Sequence, residues 1–364
     1  MRHAAAALVA ACLVAGSLGA QQPRDSAAAG RDSASHASHT QQPQSPVQPR
    51  SQRRASPWLP RLRLDNDAYN FWLHPGHRTD EEYTNGVVAT LVTLRGSFWG
   101  GHLAPRTPDC GADTSREGRC RLTTVSIGQD MYTPNLLRPP HANPDWEDER
   151  PYAGWLWLGA AAQSVSRRSS RTLEAQLGVT GPPALGQVSQ KVAHLITSDY
   201  TTRATGWDTQ VGFQPGLQLA YTHALLAARG SIGSKGVIDL VPVASATLGT
   251  VRTAADVGGK LRIGYNLSHP FDPRAWPGRT PLEYWVSAGG RAMEVAHDFS
   301  LDGALGGGRH VTRVPGVREY TFGAGLRMHR LLLQWEATTR TRQYTTGPLH
   351  HTFSGMTATW EFYR

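Results

Sequence analysis

The sequence predicts an all-β protein, an antiparallel barrel that spans a membrane, with one short amphipathic helix at its rim. Three observations point there. Apolar and polar residues alternate at period two through most of residues 57–364, the first twenty residues have the layout of an export signal, and turn formers abound, with 38 Gly and 24 Pro against 18% charged residues. Beyond the N-terminal stretch there is no uninterrupted apolar run of about 18 residues, which excludes spanning helices. The lack of a glycine period or a sustained heptad excludes collagen and coiled coil.

In residues 1–20, Arg2 supplies the positive start, Ala4–Ala15 the apolar centre, and Gly19 and Ala20 a small-residue cleavage region, so a signal peptide is expected. Val9-Ala10-Ala11-Cys12 faintly resembles a lipoprotein box, which leaves lipidation of Cys12 as a lesser alternative. Residues 21–56 hold seven Gln, seven Ser and four Pro, no aromatic residue and Val47 as the one branched aliphatic. Such a segment cannot bury enough apolar surface to offset chain entropy and reads as a disordered spacer. Arg50, Arg53 and Arg54 within it could touch anionic groups, but the net charge of +9 is spread thinly, and export removes nucleic acid as a partner.

The body, 57–364, reads as one barrel domain. Leu173, Ala175, Leu177 and Val179 alternate with Thr172, Glu174, Gln176 and Thr180. The same pattern returns at Leu217–Tyr221, Leu261–Tyr265, Tyr320–Met328, Leu333–Ala337 and Met356–Phe362. Period two fits either a soluble sandwich or a membrane barrel. The export signal, the absence of a domain-boundary linker and the aromatic-rich strand at the C-terminus favour the barrel, whose closure removes the edges that lipid cannot satisfy. Residues 184–197 break the pattern. There Leu185, Val188, Val192, Leu195 and Ile196 fall on one helical face and Gln187, Gln190 and His194 on the other. Cys110 and Cys120, with nine residues between them, are the only thiols left after export and are expected to form a loop disulfide.

No serine-hydrolase elbow, zincin motif, Walker loop or dinucleotide fingerprint is present. Chemistry-bearing polar runs are Asp65-Asn66-Asp67, Thr79-Asp80, Tyr83-Thr84-Asn85-Gly86, Gly128 through Pro134, Glu149 through Trp155, and Gly206-Trp207-Asp208-Thr209-Gln210. Singly, each reads equally as turn or strand-end chemistry.

Taken in order, these runs resemble the outer-membrane lipid A 3′-O-deacylases, the LpxR-like family. The resemblance covers the chain from about Leu62 onward and rests most on Asp65-Asn66-Asp67, Tyr83-Thr84-Asn85-Gly86, Gly128-Gln129 through Pro134, Arg150-Pro151-Tyr152-Ala153-Gly154, and Gln190 with His194. It implies a barrel of about twelve strands, a site at the outer-leaflet rim between wall and helix, calcium dependence, and hydrolysis of the acyloxyacyl chain at the lipid A 3′ position. Carried over position by position, the family's active-site pattern falls on Asn66, Asp67, Thr84, Gln190 and His194. Glu149 stands where the family usually has Asp, and the C-terminus ends Phe-Tyr-Arg instead of on an aromatic residue.

Ester hydrolysis needs a base for water and donors or positive charge where the carbonyl oxygen becomes negative. His194 is the natural base, with Gln190 or a nearby carboxylate orienting its ring. Ca²⁺ would take oxygen ligands from Asp67, Asn66 and Thr84. Arg150 or Lys191 is the candidate for a lipid A phosphate. Two other classes remain open: a phospholipase A-like serine hydrolase using Ser189 or Ser198 near His194, and a non-enzymatic porin or adhesion barrel, which would have no use for the helix bearing His194.

Overall fold

The structure, a computed structural model, describes residues 58–67, 82–94, 110, 119–134, 148–196, 206–271, 282–305 and 307–360, with 193–196 by backbone alone. The signal and spacer, 1–20 and 21–56, lie outside the described residues. Thirteen strands run β1 (Trp58–Asn66), β2 (Glu82–Thr93), β3 (Arg119–Thr133), β4 (Ala153–Ser166), β5 (Ser169–Thr180), β6 (Pro215–Leu225), β7 (Ala228–Ile232), β8 (Gly236–Gly249), β9 (Arg252–Tyr265), β10 (Leu282–Asp298), β11 (Gly316–Met328), β12 (Leu331–Thr341) and β13 (His350–Trp360). Neighbours pair antiparallel in chain order, and β1 pairs β13, which closes the sheet at the termini. The other closure is shared: β6 pairs the second half of β8 and β7 the first half. Together β6 and β7 make one interrupted wall strand, so the barrel has twelve positions. The register breaks near Pro242 of β8, whose missing N–H favours such an irregularity. At the break, the Leu226 and Ala227 N–H groups donate to Arg168 and Leu240 carbonyls at 2.9 and 3.0 Å.

The period-two pattern sorts to two sides of the wall. Val125, Ile127, Leu158, Leu177, Leu217, Leu248 and Phe322 are exposed on the outer face. Inward, charged side chains on neighbouring strands pair along the lumen wall. Asp239 takes Arg229 at 2.8 Å and Arg262 at 2.6 Å, Glu319 takes Arg291 and Arg340 at 2.5 and 2.6 Å, and Glu283 takes Arg327 at 3.2 Å. An apolar exterior around an ionic interior is the inverse of a soluble sandwich and fits a wall surrounded by lipid. The sandwich alternative is thereby set aside.

Strand direction gives the barrel two distinct ends. β1 starts at the end that carries the short β4–β5 and β11–β12 turns, and both ends of the barrel chain lie there; it is called the turn end. At the turn end, Leu59, Val92, Leu94, Cys120, Leu122 and Val165 form an apolar cluster with Cys110, and Phe271 packs on it. Leu59 shares its face of β1 with Arg61, Arg63 and Asp65, so the cluster sits within the mouth of the lumen. Cys110 and Cys120 are joined by the expected disulfide. The opposite end carries an 11-residue helix, α1 (Gly186–Ile196), between β5 and β6, and a single turn, α2 (Phe299–Asp302), between β10 and β11.

A candidate active site on the outer wall at the helix end

β1 ends with its carboxylates at this end of the barrel. Asp65 faces inward, 2.8 Å from Arg63 Nε, and the Tyr83 hydroxyl lies 3.1 Å from both Asp65 and Asp130. Asn66 is the last residue of β1, and Asp67 just beyond it is buried. The register of β2 on β3 then slips, with Tyr83 opposite Tyr132 but Asn85 opposite Met131, which leaves Thr84 as the extra residue of a bulge. Bulges re-aim side chains. Tyr83 thus stays in the lumen while Thr84 meets Thr133, their hydroxyl oxygens 2.5 Å apart and buried.

Thr133, Met131 and Gln129 share the outward face of β3, and α1 lies against this part of the wall. Gln129 Nε2 donates to the Ala184 carbonyl at 2.5 Å. Met131, Tyr152 and Trp207 form a buried cluster, with the Tyr152 and Trp207 rings 4.9 Å apart. Close approach depends on small residues. A Cβ on Gly154 would sit 3.1 Å from Ala184 Cβ, and one on Gly186 would meet the Trp207 ring at 2.5 Å. Along α1, Gln190 is 2% exposed and its Oε1 accepts from Trp207 Nε1 at 2.6 Å. Leu185, Val188 and Val192 are each about half exposed. The helix turns a polar side to protein and an apolar side outward, the arrangement expected of a helix set in lipid. Gln187 departs from the sequence expectation, because it is exposed instead of sharing the inward side with Gln190. His194 follows Gln190 by one helical turn in the backbone; its side chain lies outside the described residues.

The structure therefore brings Asn66, Asp67, Thr84, Gln190 and the His194 backbone to one end of the barrel. Arg150 needs correction. It was expected as an alternative phosphate ligand, but its guanidinium is fully buried, with Nη1 2.6 Å from Glu82 and Nη2 2.7 Å from Ser300 Oγ, stacked over the Tyr132 ring at 4.7 Å. Lys191 is exposed on the outward side of α1. Sequence reasoning missed Glu82. This buried carboxylate also accepts from the Tyr344 hydroxyl at 2.7 Å, and its backbone sits at φ +66°, a left-handed conformation costly for a non-glycine residue. Arg150, Tyr344, Ser300 and Asp298, whose Oδ1 accepts from Ser300 Oγ at 2.6 Å, thus tie three rim segments to the residue that opens the bulge.

Among the described residues no group of three or more His, Cys, Asp or Glu is gathered for a metal. Asn66, Asp67 and Thr84 provide one carboxylate with neutral oxygen donors. That composition suits a hard cation completing its shell with backbone oxygens and water.

A closed barrel with a lipid-facing wall, an ionic lumen and a helix laid on the wall beside buried polar residues defines an integral membrane barrel with a candidate site at its rim. The chain belongs to the family described as outer membrane protein LpxR, whose model matches residues 13–362. Among solved structures it is similar to LpxR from Salmonella typhimurium, 20% identical, with 84% of this chain and 100% of that one covered at a TM-score of 0.64. It also aligns with the β domain of the Bordetella autotransporter Brka, 10% identical, over 84% and 99% of the two chains at a TM-score of 0.40. None of the curated proteins compared matches it. The protein is thus an outer-membrane barrel of this family.

Proposed function

We propose that the protein hydrolyses the ester-linked 3′-acyloxyacyl chain of lipid A in the outer leaflet, with His194 activating water and calcium as cofactor. Family membership supports the substrate class. The observation that carries the reading is the position of α1, at the same end of the barrel as the Thr84–Thr133 pair, with Gln190 buried against Trp207 while Leu185, Val188 and Val192 face outward. A site so placed opens sideways, and a lipid can enter without leaving the leaflet. The helix end then faces the cell surface, with the short turns at the periplasmic side.

In this mechanism His194 takes a proton from water, and the hydroxide oxygen bonds to the ester carbonyl carbon as the carbonyl oxygen becomes negative. Collapse breaks the bond from that carbon to the sugar oxygen, which takes the proton back from His194; the products are a carboxylic acid and a free sugar hydroxyl. Asn66, Asp67 and Thr84 would hold calcium, which when bound supplies Lewis-acid polarisation of the ester carbonyl. The Thr84–Thr133 contact and the Glu82 lock fix the bulge that presents Thr84. Lys191, whose stem can run along the apolar outer side of α1 with its ammonium at the headgroups, replaces Arg150 as the partner for a lipid A phosphate.

The test is mass spectrometry of lipid A from cells expressing the protein, with and without calcium. Loss of the 3′ acyloxyacyl mass only when calcium is present supports the reading. Unchanged lipid A under both conditions sinks it, unchanged activity in chelator removes the metal alone, and an isolable acyl-serine promotes the phospholipase-like alternative.

A further inference from the structure

The buried amide of Gln190 has one end satisfied and one end open. Its Oε1 accepts from Trp207 Nε1 at 2.6 Å, while its Nε2, equally buried, has no hydrogen-bond partner among the described residues. The assignment of oxygen and nitrogen in an amide is normally a choice between two orientations. Here chemistry removes the choice, because an indole N–H can only donate, so the atom facing it must be the oxygen. The two N–H groups of Gln190 are therefore forced to the far side. An unpaired buried donor is costly unless a bound group supplies an acceptor.

From this we infer that Trp207 is a positioning residue, locking the Gln190 amide so that Nε2 donates to the oxygen that turns negative when water attacks the substrate ester. The inference rests on the proposed deacylase function and goes further by giving Gln190 a direct role toward substrate instead of one in orienting His194. The surroundings suit a lock. Trp207 is itself 2% exposed, held by Tyr152 and Met131, and the missing side chain at Gly186 leaves room for its ring against the start of α1. The indole has almost no freedom to follow a turning amide, so the amide must conform to it. A donor fixed before the reaction needs no reorganisation as charge develops, which is the condition under which such donors matter most.

Four variants test it, each first checked for heat-modifiable gel mobility so that a folded barrel is compared with a folded barrel. Gln190→Leu and Gln190→Glu both remove the donor, and Glu still accepts from Trp207; each is expected to lower kcat roughly 10²–10³-fold with little change in KM, the usual loss for one oxyanion donor. Trp207→Phe keeps the ring but frees the amide to turn, and kcat should fall about tenfold, an intermediate loss on the same scale. In the double variant Trp207→Phe with Gln190→Leu, the Trp207 change should cost nothing more, because both act on one amide. A merely structural Trp207 would instead add its own loss on top. In ¹⁵N-indole-labelled barrel, Gln190→Leu should also move one Trp N–H resonance, the one absent from Trp207→Phe. Additive losses, full kcat in Gln190→Glu, or an unmoved indole resonance would overturn the inference. An inactive wild type would overturn the deacylase reading and with it the oxyanion role, while the indole resonance still decides whether the lock exists.

Discussion

Glu82 shows how much of the site depends on residues that take no part in the chemistry. Its carboxylate and the Arg150 guanidinium are 1% and 0% exposed, and they hold a strained backbone two residues before Thr84. Removing one member of a buried pair strands the other charge, so Arg150→Ala should cost about 3–5 kcal/mol. The check is the temperature at which the gel mobility of the folded barrel is lost. Burial, with Glu82 and Glu149 beside it, pushes the Tyr344 phenol above its ordinary range, so it goes on donating to Glu82 in alkaline solution. The two residues given chemical roles should separate by their response to calcium. His194→Ala is expected to lower deacylation roughly 10²–10⁴-fold, the usual loss of a general base, with no rescue by excess calcium. Asp67→Ala, having lost a ligand, should be partly rescued; equal rescue of both variants, followed by lipid A mass spectrometry, would refute the division of roles. The polar runs around positions 65–67, 83–86 and 190–194 were legible in the sequence. Glu82 was not, since its partner lies 68 residues away and its own neighbourhood reads as an ordinary strand start. Arg150 was misread for the same reason, because an arginine in a Pro- and Gly-containing loop gives no sign that a distant carboxylate already claims it.

The elements that matter most here are α1 and the segments that press it to the wall. The sequence revealed a two-faced helix but not which face meets protein. In water the apolar face would turn inward, and only the lipid outside the barrel reverses that. Gly154 is the contact that permits it. With an added Cβ already 3.1 Å from Ala184, Gly154→Val should lift the start of α1 off β4. The expectation is a loss of deacylase activity larger than any loss of barrel stability, measured by turnover beside heat-modifiable mobility; equal losses would mean that α1 is part of the folding core. The β10–β11 segment is pinned differently. Burial acts to raise the Asp302 carboxyl, but hydrogen bonds from His297 and the Asp298 N–H, with Arg313 3.2 Å away, hold it below the usual carboxylate value. A depressed pKa contributes stability that is complete above the unfolded value, near 3.9, and is lost as pH falls through the lowered one. Limited proteolysis of this segment should therefore rise as the pH is taken from 5 into stronger acid, whereas Asp302→Asn should be cut faster already at pH 5.

For the whole molecule, period two was readable from the sequence but closure was not, because a sandwich and a barrel alternate alike. What decides it is long-range: β1 pairing β13, and ion pairs such as Lys260 with Glu336 that meet across the lumen. The disulfide belongs to this scale as well. Cys110 is held beside β3 by its N–H on the Arg121 carbonyl at 2.9 Å, and the bond sits in the apolar cluster at the turn end, away from α1 and the Thr84–Thr133 pair. Closing so short a loop restricts the unfolded chain by about 2–3 kcal/mol. Cys110→Ser with Cys120→Ser should accordingly unfold at lower temperature, and its kcat on lipid A in intact membranes should stay within about twofold of wild type, since losing the bond acts on the unfolded state. The same apolar cluster sits in one mouth of the lumen, so the wild-type barrel in a planar bilayer should pass little current. If instead the serine variant keeps its stability but loses deacylation, the two ends of the barrel are coupled through the ionic lumen, and the helix-end site cannot be treated as self-contained.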